Sequence, residues 1–180
     1  KRNKNRKIFN FSKLSASLGP SYSDNEILAE VNKFNFKVTK FDNFLEMTVE
    51  ASKSIIKDKV ICWFQGGAEF GPRSLGYRSF LADPRSKSIV EDINVLIKQR
   101  ETFRPFAPSI KREKLNDYFE LNQDSKYMTI ISKVKKDKIK YIEAVVHVDG
   151  SSRPQTVDKD SDLVFWSLLD NFENITNIPL

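Results

Sequence analysis

Four of the chain's six glycines, Gly66, Gly67, Gly71 and Gly76, fall within eleven residues. A regular helix cannot absorb that density, because each glycine must give up more backbone freedom than any other residue. The segment is therefore predicted to be an irregular loop whose backbone can come close to a ligand. It follows Val60-Ile61-Cys62-Trp63-Phe64, a short β-branched and aromatic run that predicts a buried strand, with Cys62 and Trp63 on a central one and Cys62 a small buried hydrophobe. Gly66 to Gly71 has the glycine spacing of a P-loop, but Pro72-Arg73 stands where Lys and Ser/Thr would follow, which excludes that motif.

Around this loop the periodicity alternates between helical and extended. Ser23-Asp24-Asn25-Glu26 forms a capping box ahead of Ile27, Leu28, Val31 and Phe34, so a helix starts there. Phe34, Phe36 and Val38 alternate as a strand would, and residues 43–57 read as a second helix with Phe44, Met47 and Ile55 inward. Ser86 opens a helix whose Ile89, Ile93, Leu96 and Ile97 share a face and which delivers Lys98 and Arg100 at its end. Residues 127–134 and 141–148 are predicted strands separated by a polar stretch, residues 135–140, that serves as a hairpin or a crossover loop, and residues 161–172 a last helix with Phe165, Leu168, Leu169 and Phe172 inward. The fold class is α/β in the mixed α+β sense.

At 180 residues, with 39% hydrophobic and 12% aromatic residues, the chain is expected to form one globular domain. It holds no apolar run of the ~20 residues a membrane-spanning helix needs, and a single cysteine fits a reducing compartment, so a cytoplasmic location is expected. One cysteine and one histidine argue against structural zinc, and no metal site is expected in this chain. The net charge of +6 is local: six of the 30 basic residues stand among the first thirteen with no acid, leaving 24 basic against 24 acidic in the rest. Residues 1–17 are expected to be a basic linker or arm, and nucleic acid is not the expected partner of the neutral body. The chain starts at Lys1 and is expected to be a piece of a longer protein.

Five of the nine arginines, Arg73, Arg78, Arg85, Arg100 and Arg104, lie within 32 residues, with Lys98 among them. Guanidinium forks and glycine-loop amides suit phosphate and carboxylate oxygens, so an oxyanion or nucleotide site is expected. Ion pairing with Glu69, Asp83, Glu91 and Glu101 is the competing use of these arginines. The only histidine, His147, precedes Asp149-Gly150-Ser151-Ser152-Arg153-Pro154-Gln155-Thr156, a hydroxyl-rich cationic loop of the kind that holds ribose and phosphate.

Glu69-Phe70-Gly71-Pro72-Arg73-Ser74-Leu75-Gly76-Tyr77-Arg78-Ser79 resembles the EFGPRALGxRSIL signature of O-carbamoyltransferases of the nodulation and antibiotic-biosynthesis type. Ala82-Asp83-Pro84-Arg85, Lys98-Gln99-Arg100-Glu101-Thr102-Phe103-Arg104-Pro105-Phe106 and the block from His147 to Val157 resemble its next three motifs in order. The resemblance runs over residues 18–180. It implies a YrdC-like C-terminal domain, a twisted sheet with flanking helices, lacking its last segment and the actin-like N-terminal domain that normally precedes it.

The resemblance further implies that this domain takes carbamoyl phosphate and ATP, with Mg²⁺ expected alongside the nucleotide, and makes carbamoyl adenylate. The N-terminal domain, which holds iron or another divalent metal, would pass the carbamoyl group to a hydroxyl of a small acceptor. Arg73, Lys98, Arg104 and Arg153 would be the catalytic cations. Arg78, Arg100, His147, Ser152, Gln155 and Thr156 would bind substrate or nucleotide, and Lys98-x-Arg100 is similar to the basic pair of YrdC-like domains. The isolated chain would bind without transferring, and homodimerisation is left open. The alternative is a non-catalytic nucleotide- or RNA-binding YrdC-like module that uses the basic arm.

Overall fold

The capping box forms as the sequence predicts: Ser23 Oγ accepts from the Glu26 amide at 3.4 Å, and Glu26 Oε2 accepts from the Ser23 amide at 2.8 Å. It opens α1, Asp24–Lys33. The computed structural model describes residues 15–180, so the basic arm lies almost wholly outside the described residues. None of α1 is buried, and its apolar residues Ile27 and Leu28 remain exposed. Phe34 and Phe36 belong to no strand. Asn35 takes a left-handed φ of 55° that breaks the extended run, and the two rings stack on each other with centroids 5.9 Å apart.

α2, Phe44–Ile56, is capped by Asn43 and buries Thr48, Ser52 and Ile55 against α5, Leu163–Thr176. Ser52 Oγ shares its one proton between the carbonyls of Thr48 at 2.8 Å and Leu168 at 3.1 Å, while Asn171 Nδ2 donates to Thr48 Oγ1 at 3.0 Å. These small polar residues satisfy themselves at the seam and leave the apolar side chains to fill the core. Phe165, Leu168, Leu169 and Phe172 are buried, as the last helix predicts.

β1, Ile61–Phe64, pairs antiparallel with β2, Arg78–Leu81, with Trp63 opposite Ser79 and Phe64 opposite Arg78. It is a strand, but one of a two-stranded ribbon and not a central one. Only Trp63 is buried, 6.4 Å from the Phe165 ring, and Cys62 is exposed on the other face, which corrects the expectation of a buried thiol. Alternation, not continuous burial, is what a ribbon covered on one side requires.

α3, Ser88–Asp92, runs on into a π-helical turn, Ile93–Ile97. Ile89 and Ile93 are buried, but the wider turn rotates the later residues away, and Leu96 is 73% exposed. β3, Ser109–Lys111, leads into α4, Leu115–Tyr118. The two strands predicted over 127–134 and 141–148 shrink to β4, Ser132–Lys133. Met128 at a φ of 52° interrupts the first, and two 3₁₀ turns, Ile139–Tyr141 and Glu143–Val145, replace the second while burying Ile142 and Val145.

β4 pairs antiparallel with β5, Ser151–Ser152, and β3 pairs parallel with β6, Gln155–Val157. Helices and strands are thus mixed, as expected, with strand pairing among the described residues distributed over three two-stranded units. Among the described residues no helix is long and apolar enough to cross a membrane.

Gly76 is where this packing leaves least room. Its φ is 95°, and a Cβ there would fall 2.6 Å from the Phe165 ring. Gly71, at a φ of 108°, has open space around it. Gly71→Ala is expected to cost about 1–3 kcal/mol, the ordinary penalty of backbone strain. Gly76→Ala should exceed it by a further 1–3 kcal/mol of overpacking. Urea midpoints of the two variants check the order.

Candidate functional site

The glycine loop is held by one carboxylate and one guanidinium. Glu69 Oε1 accepts from the backbone amides of Leu75 at 2.8 Å, Arg78 at 3.2 Å and Tyr77 at 3.4 Å. Burial pushes this carboxyl up, but the amides together outweigh burial and hold it below the ordinary glutamate range. Arg78 does the converse for the carbonyls. Its Nη1 donates to Gln65 at 2.7 Å and Tyr77 at 2.9 Å, its Nη2 to Pro20 and Gly66 at 3.0 Å each, and its guanidinium lies 3.4 Å from the Phe64 ring centroid. Four of its five N–H groups are thereby committed to the loop's shape.

Arg73 rides on this loop. Its Nε is buried and has no hydrogen-bond partner among the described residues, and the same is true of Arg153, between β5 and β6. Burial first, then the charge of Arg73, pushes Arg153 below its ordinary value. Neither makes an ion pair among the described residues. A buried N–H without an acceptor costs about 1–3 kcal/mol, so the open Nε–H groups of Arg73 and Arg153 favour an incoming oxyanion.

The second cationic group follows the π-helical turn. Asn94, fully buried, donates through Nδ2 to the carbonyls of Arg104 at 2.9 Å and Thr102 at 3.1 Å, and its Oδ1 accepts from Arg100 Nε at 2.7 Å. This bends residues 98–104 into a turn that groups Lys98, Arg100 and Arg104. Burial and then Arg100 push Lys98 down, and its Nζ stands 5.0 Å from the Phe80 ring centroid. Arg104 pairs with Glu101 at 2.7 Å on an exposed surface, and Arg85 pairs with the buried Asp83 at 2.6 Å. Both pairings follow the competing use foreseen for these arginines.

Arg153 thus feels the charge of Arg73, while Lys98, Arg100 and Arg104 share one turn. The hydroxyl-rich segment is largely occupied with its own fold. Ser152 Oγ donates to the Val145 carbonyl at 2.7 Å, Gln155 Nε2 donates to the Leu75 carbonyl at 2.8 Å, and Thr156 Oγ1 accepts from the Ser125 amide at 3.0 Å. Gln155 thus ties β6 to the glycine loop. Between them opens a cleft of about 560 Å³ whose lining includes Leu75, Tyr77, Gln155, Thr156, Asp158 and Asp162. That volume suits a small-molecule ligand.

Three contributors escaped sequence reasoning. Asn94 lies inside a helical pattern where nothing marks it as a loop organiser. Asp162 caps α5 through the Phe165 amide at 3.0 Å, accepts from Gln65 Nε2 at 3.0 Å, and is pushed up by burial. Tyr77 is raised by burial and then by Asp162. The polar residue just before a strong apolar helix was the available signal for Asp162.

Residues 52–180 match the Carbamoyltransferase C-terminus family, and the chain belongs to it. Nodulation protein NolNO of Sinorhizobium fredii is 40% identical over 138 residues, covering 75% of this chain and 20% of that protein. Nodulation protein NolO of Bradyrhizobium diazoefficiens is 40% identical over 124 residues, covering 67% of this chain and 23% of its own length. Uncharacterized protein MJ1051 of Methanocaldococcus jannaschii is 40% identical over 156 residues, covering 86% and 30%. The chain thus spans between a fifth and a third of the length of these relatives.

Glu69 gives the loop a pH signature. Because its carboxyl is lowered in the folded state, its contribution is complete above the unfolded value near 4.5 and is lost as pH falls through the lower folded value. Urea midpoints measured from pH 5.5 down to pH 3 should fall more steeply for the wild type than for Glu69→Gln. Parallel slopes would remove Glu69 from this role.

Proposed function

We propose that this chain binds carbamoyl phosphate and ATP and forms carbamoyl adenylate, within a carbamoyltransferase that passes the carbamoyl group to a hydroxyl acceptor. The observation that supports it most is the Arg73–Arg153 pair, with both Nε–H groups buried and unpartnered beside a glycine loop. Membership of the carbamoyltransferase family supplies the substrate class.

In the proposed reaction, water breaks the bridging C–O–P link of carbamoyl phosphate, a mixed carbamic–phosphoric anhydride, to give carbamate and inorganic phosphate. A carbamate oxygen then bonds to the α-phosphorus of ATP, and the bond from that phosphorus to the bridging oxygen breaks to release pyrophosphate. Two anions are brought together and charge grows on the leaving group, so fixed cations supply the main stabilisation. Arg73 and Arg153 are assigned to carbamoyl phosphate, and Lys98, Arg100 and Arg104 to the nucleotide phosphates. Arg104 must exchange its exposed Glu101 partner for phosphate, a small loss because surface ion pairs are worth only about 0–1 kcal/mol. The cleft bordered by Gln155 and Thr156 is assigned to the nucleoside. Arg78 is assigned to holding the loop.

Mg²⁺ is assigned as a companion of the nucleotide phosphates, whose charge it would offset. Transfer to the acceptor, and the metal that serves it, are assigned to the actin-like region that precedes this domain in the family. The cytoplasm is the proposed location.

Calorimetry of the chain with carbamoyl phosphate and with ATP tests the assignment. Arg73→Ala and Arg153→Ala should each weaken carbamoyl phosphate binding by about tenfold to a hundredfold, the worth of hydrogen bonds to a charged group. Binding unchanged in both variants would overturn it, and carbamoyl transfer by this chain alone would overturn the division of labour.

A further inference from the structure

His147, Ser151 and Asp149 form a proton chain that fixes which ring nitrogen of His147 is bare. Ser151 donates its amide to Asp149 Oδ1 at 2.9 Å and its hydroxyl to the same oxygen at 2.6 Å. The Ser151 bonds, then Lys133, lower the Asp149 carboxyl to about 2, so at neutral pH it is an acceptor only. A serine hydroxyl has one proton, and here it goes to Asp149. His147 Nδ1, 3.1 Å from Ser151 Oγ, can then complete a hydrogen bond only by donating. The neutral ring therefore carries its proton on Nδ1 and leaves Nε2 as a lone-pair acceptor. Among the described residues Nε2 has no hydrogen-bond partner.

The surroundings keep the ring neutral. Burial is the largest influence and lowers it, Asp149 opposes, and the charge of Arg153 lowers it further. Lys133 faces the cluster from β4, with its Nζ 2.7 Å from the Asp149 carbonyl oxygen and 3.5 Å from Oδ2, and so engages the acid, not the ring. The backbone fixes the orientation as well: the His147 amide donates to the Ser151 carbonyl at 2.7 Å, and the Gly150 amide donates to the His147 carbonyl at 2.9 Å.

We propose that His147 Nε2 is a specificity element that accepts a hydrogen bond from the –NH₂ of a carbamoyl group whose phosphate is held by Arg153 and Arg73. This rests on the reading of the site given above and adds to it the basis for choosing carbamoyl over other acyl phosphates. A cation beside a bare acceptor selects a ligand that carries both an oxyanion and an N–H donor. Carbamoyl phosphate has both. Acetyl phosphate, with the same charge and a methyl group in place of –NH₂, has only the first. An imidazole with its proton on Nε2 would instead present a donor and lose the discrimination. Ser151 and Asp149 act through the ring and are positioning residues.

The sole histidine makes the test direct. Long-range ¹H–¹⁵N NMR of the ¹⁵N-labelled chain at pH 7.5 should show a protonated Nδ1 and a bare Nε2, and Ser151→Ala should shift the population toward the Nε2-protonated form. Carbamoyl phosphate should move the Nε2 resonance and bind roughly threefold to tenfold more tightly than acetyl phosphate, the worth of one neutral hydrogen bond. In His147→Ala the two should bind alike. An Nε2-protonated wild-type ring overturns the proposal whatever the ligand does. Equal binding of both phosphates to the wild type overturns it while leaving the arginine site intact. Failure of both to bind overturns the arginine site and this assignment together.

Discussion

The cation-bearing loops of this domain owe their shape to two buried or half-buried side chains that collect backbone groups. Glu69 gathers three amides of the glycine loop, and Asn94 gathers two carbonyls and a guanidinium of the turn that follows the π-helical segment. Loops of this kind have no ladder to satisfy their peptide groups, and a buried peptide group without a partner is costly. One carboxylate therefore settles the geometry of residues 69–78, and one carboxamide settles that of residues 94–104. Arg78 completes the first loop from the acceptor side. Gln155 then locks that loop to β6, and Gly76 lets Phe165 sit against it without a clash.

With the backbone satisfied internally, the remaining cations need not serve the fold. Burial and then the charge of Arg73 disfavour the charge of Arg153, an arrangement that stabilises nothing by itself and would gain from an incoming oxyanion. His147, which feels the charge of Arg153, extends the same logic under the proposed reading. Its proton is placed by Ser151 and Asp149, so the site presents positive charge and a bare acceptor together. Preorganisation of this type is how a site stabilises charge that develops during reaction without rearranging at that moment.

Much of this was legible in the sequence because the signals were local. The capping box at Ser23, the apolar faces of α2 and α5 and the glycine cluster each announce themselves within a dozen residues. The motif blocks that carry the arginines pointed to the carbamoyltransferase family, to which the chain belongs. What failed depended on partners distant in sequence. The alternation at Phe34–Val38 had no edge to pair with, and residues 141–148 met their burial demand through 3₁₀ turns, as Ile142 shows. Periodicity counts apolar positions and cannot see a competing packing solution. Cys62 was misplaced for a related reason: a ribbon covered on one face buries every second residue, and which face is covered depends on α5, a hundred residues on. Asn94 and the Ser151 relay were illegible because their meaning lies in which atom each side chain reaches.

The central claim is that a Glu69-held loop and the β5–β6 junction present Arg73 and Arg153 to one oxyanion. Arginine Nε–H resonances of the ¹⁵N-labelled chain, followed during titration with inorganic pyrophosphate, test it most directly. The account predicts that the Nε–H signals of Arg73 and Arg153 shift together along one binding curve, accompanied by the amides of Gly71 and Gly76, while Arg85 on its Asp83 partner stays still. Shifts confined to the lysines of residues 135–140, with Arg73 and Arg153 unmoved, would contradict it.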